Sequence, residues 1–287
     1  MPTLKTLINH EVGRSRLGVL VQRIKLLIQR IKLLVRWGLF RSAGYQRATT
    51  MVLDGDFQIA GLQTFLHRAF NAANKRFNNL PRWILRIDGM SGRRYRSFIN
   101  ALIGQIPAPI YLEIGSWAGS TVCAAIAHNP KAKAICIDDW SQFGGPKDAF
   151  LSNTKRASGE NGGSVRLLES DFRLVDFENL DPKANVFLFD GPHSENDQAE
   201  GISFSLPALQ HRFVLIVDDF NWRDVREGTF RALREENLEV ICSITIRTDS
   251  HGQSPEVLFE QSDWHNGYFF AVISQPVDSR SRGIPQS

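Results

Sequence analysis

The sequence predicts a doubly wound α/β fold, a mostly parallel seven-stranded sheet with an antiparallel last strand, preceded by an N-terminal helical extension. Three observations carry this. Apolar runs of strand length recur from residue 110 onward and alternate with helical segments, as in a parallel sheet covered on both faces. The first run opens into a turn holding Gly115 and Gly119, followed by an apolar helix, which is the first unit of such a fold. Several runs end in acidic residues, at the strand ends where open α/β sheets bind their ligands.

The opening segment has a different character. From Val12 to Leu53 there is no Asp or Glu, while Arg14, Arg16, Arg23, Lys25, Arg30, Lys32, Arg36, Arg41 and Arg47 are basic. Gln22–Ile28 and Gln29–Val35 are near repeats, and polar residues at 22, 25, 29, 32 and 36 share one helical face. Three readings fit residues 14–41: a helix in an anionic membrane interface, a helix on a partner chain, or a targeting peptide. A narrow coiled-coil seam with acidic partners is absent. Further on, Phe57–Phe70 has helical spacing and Asn71–Asn79 reads as a loop. Gly89–Gly92 is a turn, and Arg93–Ile103 is an amphipathic helix. The Gly89–Gly92 turn could cover a cofactor, although a solvated loop is the more ordinary reading.

The expected strands then come in order: Ile110–Ile114, Ala132–Ile137, Val165–Glu169, Asn185–Asp190, Phe213–Val217, Leu238–Ile246 and Tyr268–Ser274. The helices between them are Val122–Ala127, Lys147–Ala157, one from Asn196 to a break near Pro207, and Arg223–Glu236. The last two strands form an expected antiparallel edge. The chain divides into a basic amphipathic helical extension (1–48), a helical lead-in or cap (49–105), the main domain (106–276) and a disordered tail (277–287).

Hydrophobic content of 43% and charged content of 22% suit a globular chain of 287 residues, and the net charge of +4 is concentrated toward the N-terminus. Cys123, Cys136 and Cys242 stand singly in apolar runs, which reads as buried reduced thiols in a cytoplasmic protein, with residues 14–41 on the inner face of a membrane if they bind one. No apolar run has the ~20 residues needed to span a bilayer.

The chemistry is expected at the strand ends. Gly115 permits a tight turn, and Gly119 lets backbone approach a ligand. Asp138, after the second strand, is the first candidate for holding a ribose; Asp139 is the alternative, or caps the next turn. Asp171 suits an exocyclic amine of adenine, or is a solvated loop acid. Asp190, Asp218 and Asp219 from neighbouring strand ends could hold Mg²⁺, and His193 could act as general base toward a substrate hydroxyl. His128 and His211 read as caps or surface groups, and His251 and His265 as distant candidates for reaching the substrate.

Glu113-Ile114-Gly115-Ser116-Trp117-Ala118-Gly119-Ser120 resembles the first motif of class I S-adenosylmethionine-dependent methyltransferases, and Ile137-Asp138-Asp139-Trp140 resembles the second. Glu169-Ser170-Asp171 is similar to their adenine-side motif. Phe189-Asp190-Gly191-Pro192-His193 with Val217-Asp218-Asp219 resembles the metal-dependent O-methyltransferase branch, macrocin-type and cephalosporin-hydroxylase-like. The resemblance implies a Rossmann-like domain over about Ile110–Ser274. It places S-adenosylmethionine against Glu113, Gly115, Ser116, Gly119, Ser120, Asp138, Asp139, Trp140, Ser170, Asp171 and Asp190. It further implies Mg²⁺ on Asp190, Asp218 and Asp219, with His193 as base and Asp190 beside it in catalysis. The acceptor would be a hydroxyl of a sugar, glycan or small natural product, and a homo-oligomer is compatible. Nucleic acid is not expected as a substrate. The first turn departs from the fuller Gly-x-Gly-x-Gly pattern. The rival readings are metal-independent methylation, and a non-catalytic membrane-associated protein that keeps the fold.

Overall fold

A computed structural model describes Ala48 and residues 50–75, 80–248 and 262–276. The basic segment 14–41, His251 and the expected tail 277–287 lie outside the described residues. The elements are β1 (Thr50–Gly55), α1 (Leu62–Lys75), α2 (Arg82–Leu85), α3 (Arg93–Gln105), β2 (Ile110–Ile114), α4 (Ser120–Ile126), β3 (Lys133–Ile137), α5 (Lys147–Gly159), β4 (Ser164–Leu168), β5 (Ala184–Phe189), α6 (Glu195–Ser205), β6 (Leu209–Val217), α7 (Arg223–Glu235), β7 (Glu239–Arg247) and β8 (Tyr268–Ser274).

The strands form one eight-stranded sheet in the order β1-β7-β8-β6-β5-β2-β3-β4. Pairing is parallel from β4 through β6, while β8 runs antiparallel to both β6 and β7. The doubly wound mixed sheet is therefore as expected, with two differences. The chain adds an eighth strand, β1, antiparallel to β7. And β7–β8 is no simple edge pair: β8 is inserted between β6 and β7, so β1 forms the outer edge.

Strand alternation splits the core into two layers. Val186, Leu188, Val214 and Ile216 face one apolar cluster with α1, α3, α4 and α5. Phe187, Phe189, Phe213, Leu215 and Val217 face the other, with α6 and α7. Every residue of β5 and β8 is buried, which is why they read as unbroken apolar runs. Helix α1 continues through Asn71 to Lys75 rather than stopping at Phe70, because Ala73 packs into the core and carries the Asn-rich turn with it. Pro207 lies in a single 3₁₀ turn after α6, close to the expected break. The three cysteines are buried. Among the described residues no helix is long and apolar enough to cross a membrane.

Candidate active site

A cavity of about 420 Å³ opens at the carboxyl ends of β2, β3, β5 and β6, within the usual size range of small-molecule sites. Its floor is the turn after β2. Gly115 adopts φ +88°, and its N–H donates to the carbonyl of Ile137 at 2.9 Å. A Cβ at this position would fall 1.9 Å from the carbonyl oxygen of Asp190. Only glycine lets the β2 turn lie directly against the end of β5.

Asp138 ties this turn to the end of β3. Its Oδ2 accepts from the Trp117 N–H and its Oδ1 from the Trp140 N–H, each at 2.7 Å. Trp117 (φ +44°) and Trp140 (φ +52°) are both left-handed, uncommon for bulky residues, and the shared carboxylate holds both. Asp139 accepts from the Ser141 N–H and hydroxyl, which hold its carboxyl below the usual carboxylate range. It thus caps the turn that leads away from β3, the second of its two expected roles. Asp171 caps a 3₁₀ turn through the Arg173 N–H at 2.9 Å.

The opposite wall carries the acids. Asp190 and Asp219 meet at His193: Nε2 of His193 is 2.7 Å from Oδ2 of Asp219 and 4.0 Å from Oδ1 of Asp190. The donor atoms of these three residues lie within 4.8 Å of one another. Asp219 adopts φ +54°. Its Oδ1 accepts from Asn266 Nδ2 at 2.7 Å, which leaves Oδ2 for His193. Burial pushes the Asp219 carboxyl up, but the contacts from His193, His265 and Asn266 outweigh this and hold it below the ordinary range. Asp190 is raised well above its ordinary value by burial and then by the charges of Asp218 and Asp219. The edge of the His193 ring meets Trp222, with centroids 4.8 Å apart.

Asp218 stands apart from this trio. Its Oδ1 accepts from the Asp219 N–H at 2.7 Å and its Oδ2 from the Tyr268 hydroxyl at 3.2 Å. Burial and the neighbouring Asp219 raise its carboxyl well above the usual range. Of the expected metal set of Asp190, Asp218 and Asp219, the structure clusters Asp190 and Asp219 with His193, while Asp218 is engaged by the Asp219 N–H and the Tyr268 hydroxyl. The chemistry of that set fits a divalent cation. The carboxylates of Asp190 and Asp219 converge beside the His193 ring, two like charges in one partly dry pocket call for neutralisation, and Mg²⁺ takes few protein oxygens and keeps water.

Of the expected cofactor residues, Gly115, Ser116, Ser120, Asp138, Asp139, Ser170, Asp171 and Asp190 line the cavity. Three do not. Glu113 is fully buried beneath the floor, Gly119 is turned to Phe150, and Trp140 packs edge-on against Phe150. Conversely, Gly89, Met90 and Ser91 do line it, so the turn before α3 is a wall of the cavity rather than a solvated loop. Arg96, almost fully buried, fixes that wall through Ser91 Oγ (2.9 Å) and the carbonyls of Ile84 and Ile87. Phe143, Trp222, His265 and Asn266 are further lining residues. Burial pushes the His265 imidazole down to about 4 against the pull of Asp219. His265 was visible in the sequence only as a histidine in a polar segment, and Asn266 carried no signal at all.

Residues 112–220 match the model of a family described as a methyltransferase domain, a span running from β2 through both acidic strand ends. That match supports the expected enzyme class. No curated protein matches the chain. Among solved structures, it is similar to the O-methyltransferase from Bacillus cereus in complex with SAH, at 17% identity over 74% of this chain and 91% of that one (TM-score 0.45). It is also similar to a putative O-methyltransferase from Klebsiella pneumoniae, at 14% identity over 73% and 90% (TM-score 0.45). A third is cofactor-bound Rv0187 from MTB, at 15% identity over 77% and 94% (TM-score 0.45).

Proposed function

We propose that this protein is an S-adenosylmethionine-dependent O-methyltransferase acting on a hydroxyl of a sugar, glycan or small natural product, with a divalent cation at Asp190 and Asp219. The observation that carries this reading is the meeting of the glycine turn and the Asp190–His193–Asp219 trio in one cavity. Gly115 and Ser116 form a floor that backbone contacts a ligand across, and Asp138, Ser170 and Asp171 offer acceptors for ribose and adenine. Bound S-adenosylmethionine supplies an already activated methyl group, and a bound Mg²⁺ acidifies a hydroxyl beside it.

The chain's own residues supply the rest. With His193 Nε2 held 2.7 Å from Asp219 Oδ2, the other ring nitrogen, Nδ1, is the proton acceptor for the substrate hydroxyl, and Asp219 orients the ring. Trp222 and Met90 exclude water from the space between donor and acceptor, so that the oxygen is aligned with the methyl group rather than competing with solvent.

Calorimetry with S-adenosylmethionine tests the cofactor, and the expected result is saturable binding by the full-length chain. With the true acceptor, His193→Ala is expected to lower kcat by about 10²–10⁴-fold, the usual weight of a general base. Activity lost on chelation and restored by Mg²⁺ separates this mechanism from metal-independent methylation. Full activity in both Asp190→Ala and His193→Ala would sink it.

A further inference from the structure

We propose that Glu113 reads the charge of the ligand lying on the Gly115 turn: it is ionised while the cationic methyl donor is bound, and regains its ligand-free, partly protonated state once the uncharged thioether product has replaced it. The inference rests on the S-adenosylmethionine reading above. It gives a task to an acid that lines no part of the cavity.

The geometry is that of a carboxyl sealed beneath the floor of the cavity. Glu113 is fully buried in β2, immediately before Ile114, Gly115 and Ser116, which line the cavity. Its Oε2 accepts from the Tyr111 hydroxyl at 2.5 Å, whereas its buried Oε1 has no hydrogen-bond partner. A carboxylate there lacks half of its solvation, and a buried carboxyl in that position goes neutral more readily than it stays charged. The groups facing it come from each neighbouring element. They are Tyr111 on its own strand, Ser116 on the turn, Cys136 in β3 and Asp138 after it, Tyr95 and Arg96 on α3, Cys123 on α4, and Asp190 after β5. Arg96 donates to Ser91 Oγ and to the Ile84 and Ile87 carbonyls, while Asp138 adds negative potential. Burial above all, then Asp138, lift the Glu113 carboxyl to about 7 against the Tyr111 hydrogen bond and the polarity of the nearby Ser116 hydroxyl.

A group balanced in this way responds to one added charge. S-adenosylmethionine and S-adenosylhomocysteine differ by a methyl group and the positive charge of the sulfonium. Glu113 is fully buried two residues before Gly115, which lines the cavity, so no solvent at Glu113 screens that charge. Donor binding therefore expels a proton from Glu113 to solvent. After methyl transfer the sulfur is neutral, and Glu113 takes a proton back. Donor affinity rises with pH through neutrality while product affinity stays flat, so the balance shifts toward the donor as pH rises.

The experiment is calorimetry of the full chain at pH 7 with each ligand, in two buffers of different ionisation enthalpy. S-adenosylmethionine is expected to release roughly half a proton, S-adenosylhomocysteine none. Glu113→Gln is expected to abolish that difference. Equal proton counts for the two ligands overturn the inference, and so does a full difference surviving in Glu113→Gln, which would place the proton on Asp190 or Asp218. If Glu113→Gln does not fold, infrared difference spectra of the natural chain carrying ¹³C-carboxyl glutamate decide. An isotope-shifted protonated-acid band present with product and lost with donor supports the inference, and its absence from both overturns it. No binding of either ligand overturns the cofactor reading and this inference with it, whereas binding with equal proton counts overturns this inference alone.

Discussion

Asn266 illustrates how much at the site depends on single hydrogen bonds between residues far apart in the chain. It lies 47 residues from Asp219, yet its amide fixes one carboxylate oxygen so that the other faces His193. Asn266→Ala is expected to weaken binding of a divalent cation about 10–100-fold, the usual weight of a partner that orients a ligand, as measured by Mn²⁺ titration. Glu113 makes a separate prediction about stability. In the folded chain without ligand it keeps its proton up to about 7, whereas its ordinary value is 4.5. Between those values only the folded state holds that proton, so its contribution to stability is complete at low pH and is lost as pH rises through about 7. The loss is ~3 kcal/mol. Chemical denaturation at pH 5 and pH 8 is expected to show this loss in the natural chain and its removal in Glu113→Gln. Residue types carried part of this in the sequence. Acids at strand ends stood out because each came after an unbroken apolar run, and that pattern picked out Asp138, Asp190, Asp218 and Asp219. It could not separate Asp218 from the trio, because that distinction is made by the Tyr268 hydroxyl, 50 residues away.

Among the elements, β2, β3, β5, β6 and β8 were legible because burial demands continuous apolar sequence, while β4 and β7, less buried, still kept enough apolar residues to be read. β1 was not. All six of its residues are exposed, and only pairing with β7 makes it a strand. The glycine turn makes the sharpest prediction here. Gly115→Ala adds a Cβ at φ +88° against the backbone oxygen of Asp190, which no rotamer change can relieve. The expected result is a loss of ~3 kcal/mol in unfolding free energy, together with loss of cofactor binding. Gly61 is the control. It also has positive φ (+114°), but nothing lies within 4 Å of its added Cβ, so Gly61→Ala is expected to cost only ~1 kcal/mol of backbone strain. Denaturant melts of the two variants separate contact from conformation.

For the molecule between Tyr45 and Ser287, the sheet predicts a gradient of local stability. β5 and β8 are buried along their whole length and paired on both sides, while β1 is exposed and paired on one. Native-state hydrogen exchange is expected to find the slowest amides in Ala184–Phe189 and Tyr268–Ser274, opening only with global unfolding, and fast exchange in Thr50–Gly55. Comparable protection of β1 and β5 would contradict that gradient.

The insertion of β8 between β6 and β7 also sets an order of assembly. On the ribosome, β7 emerges before the strand that must lie between it and β6, so the sheet stays in two pieces until Tyr268–Ser274 is available. The same late segment delivers Asn266 to Asp219 and Tyr268 to Asp218. A nascent chain can therefore complete the Gly115 floor while the acids opposite are still without their supports. Competence to transfer a methyl group would arrive only with the final strand, as a by-product of topology rather than of any separate control.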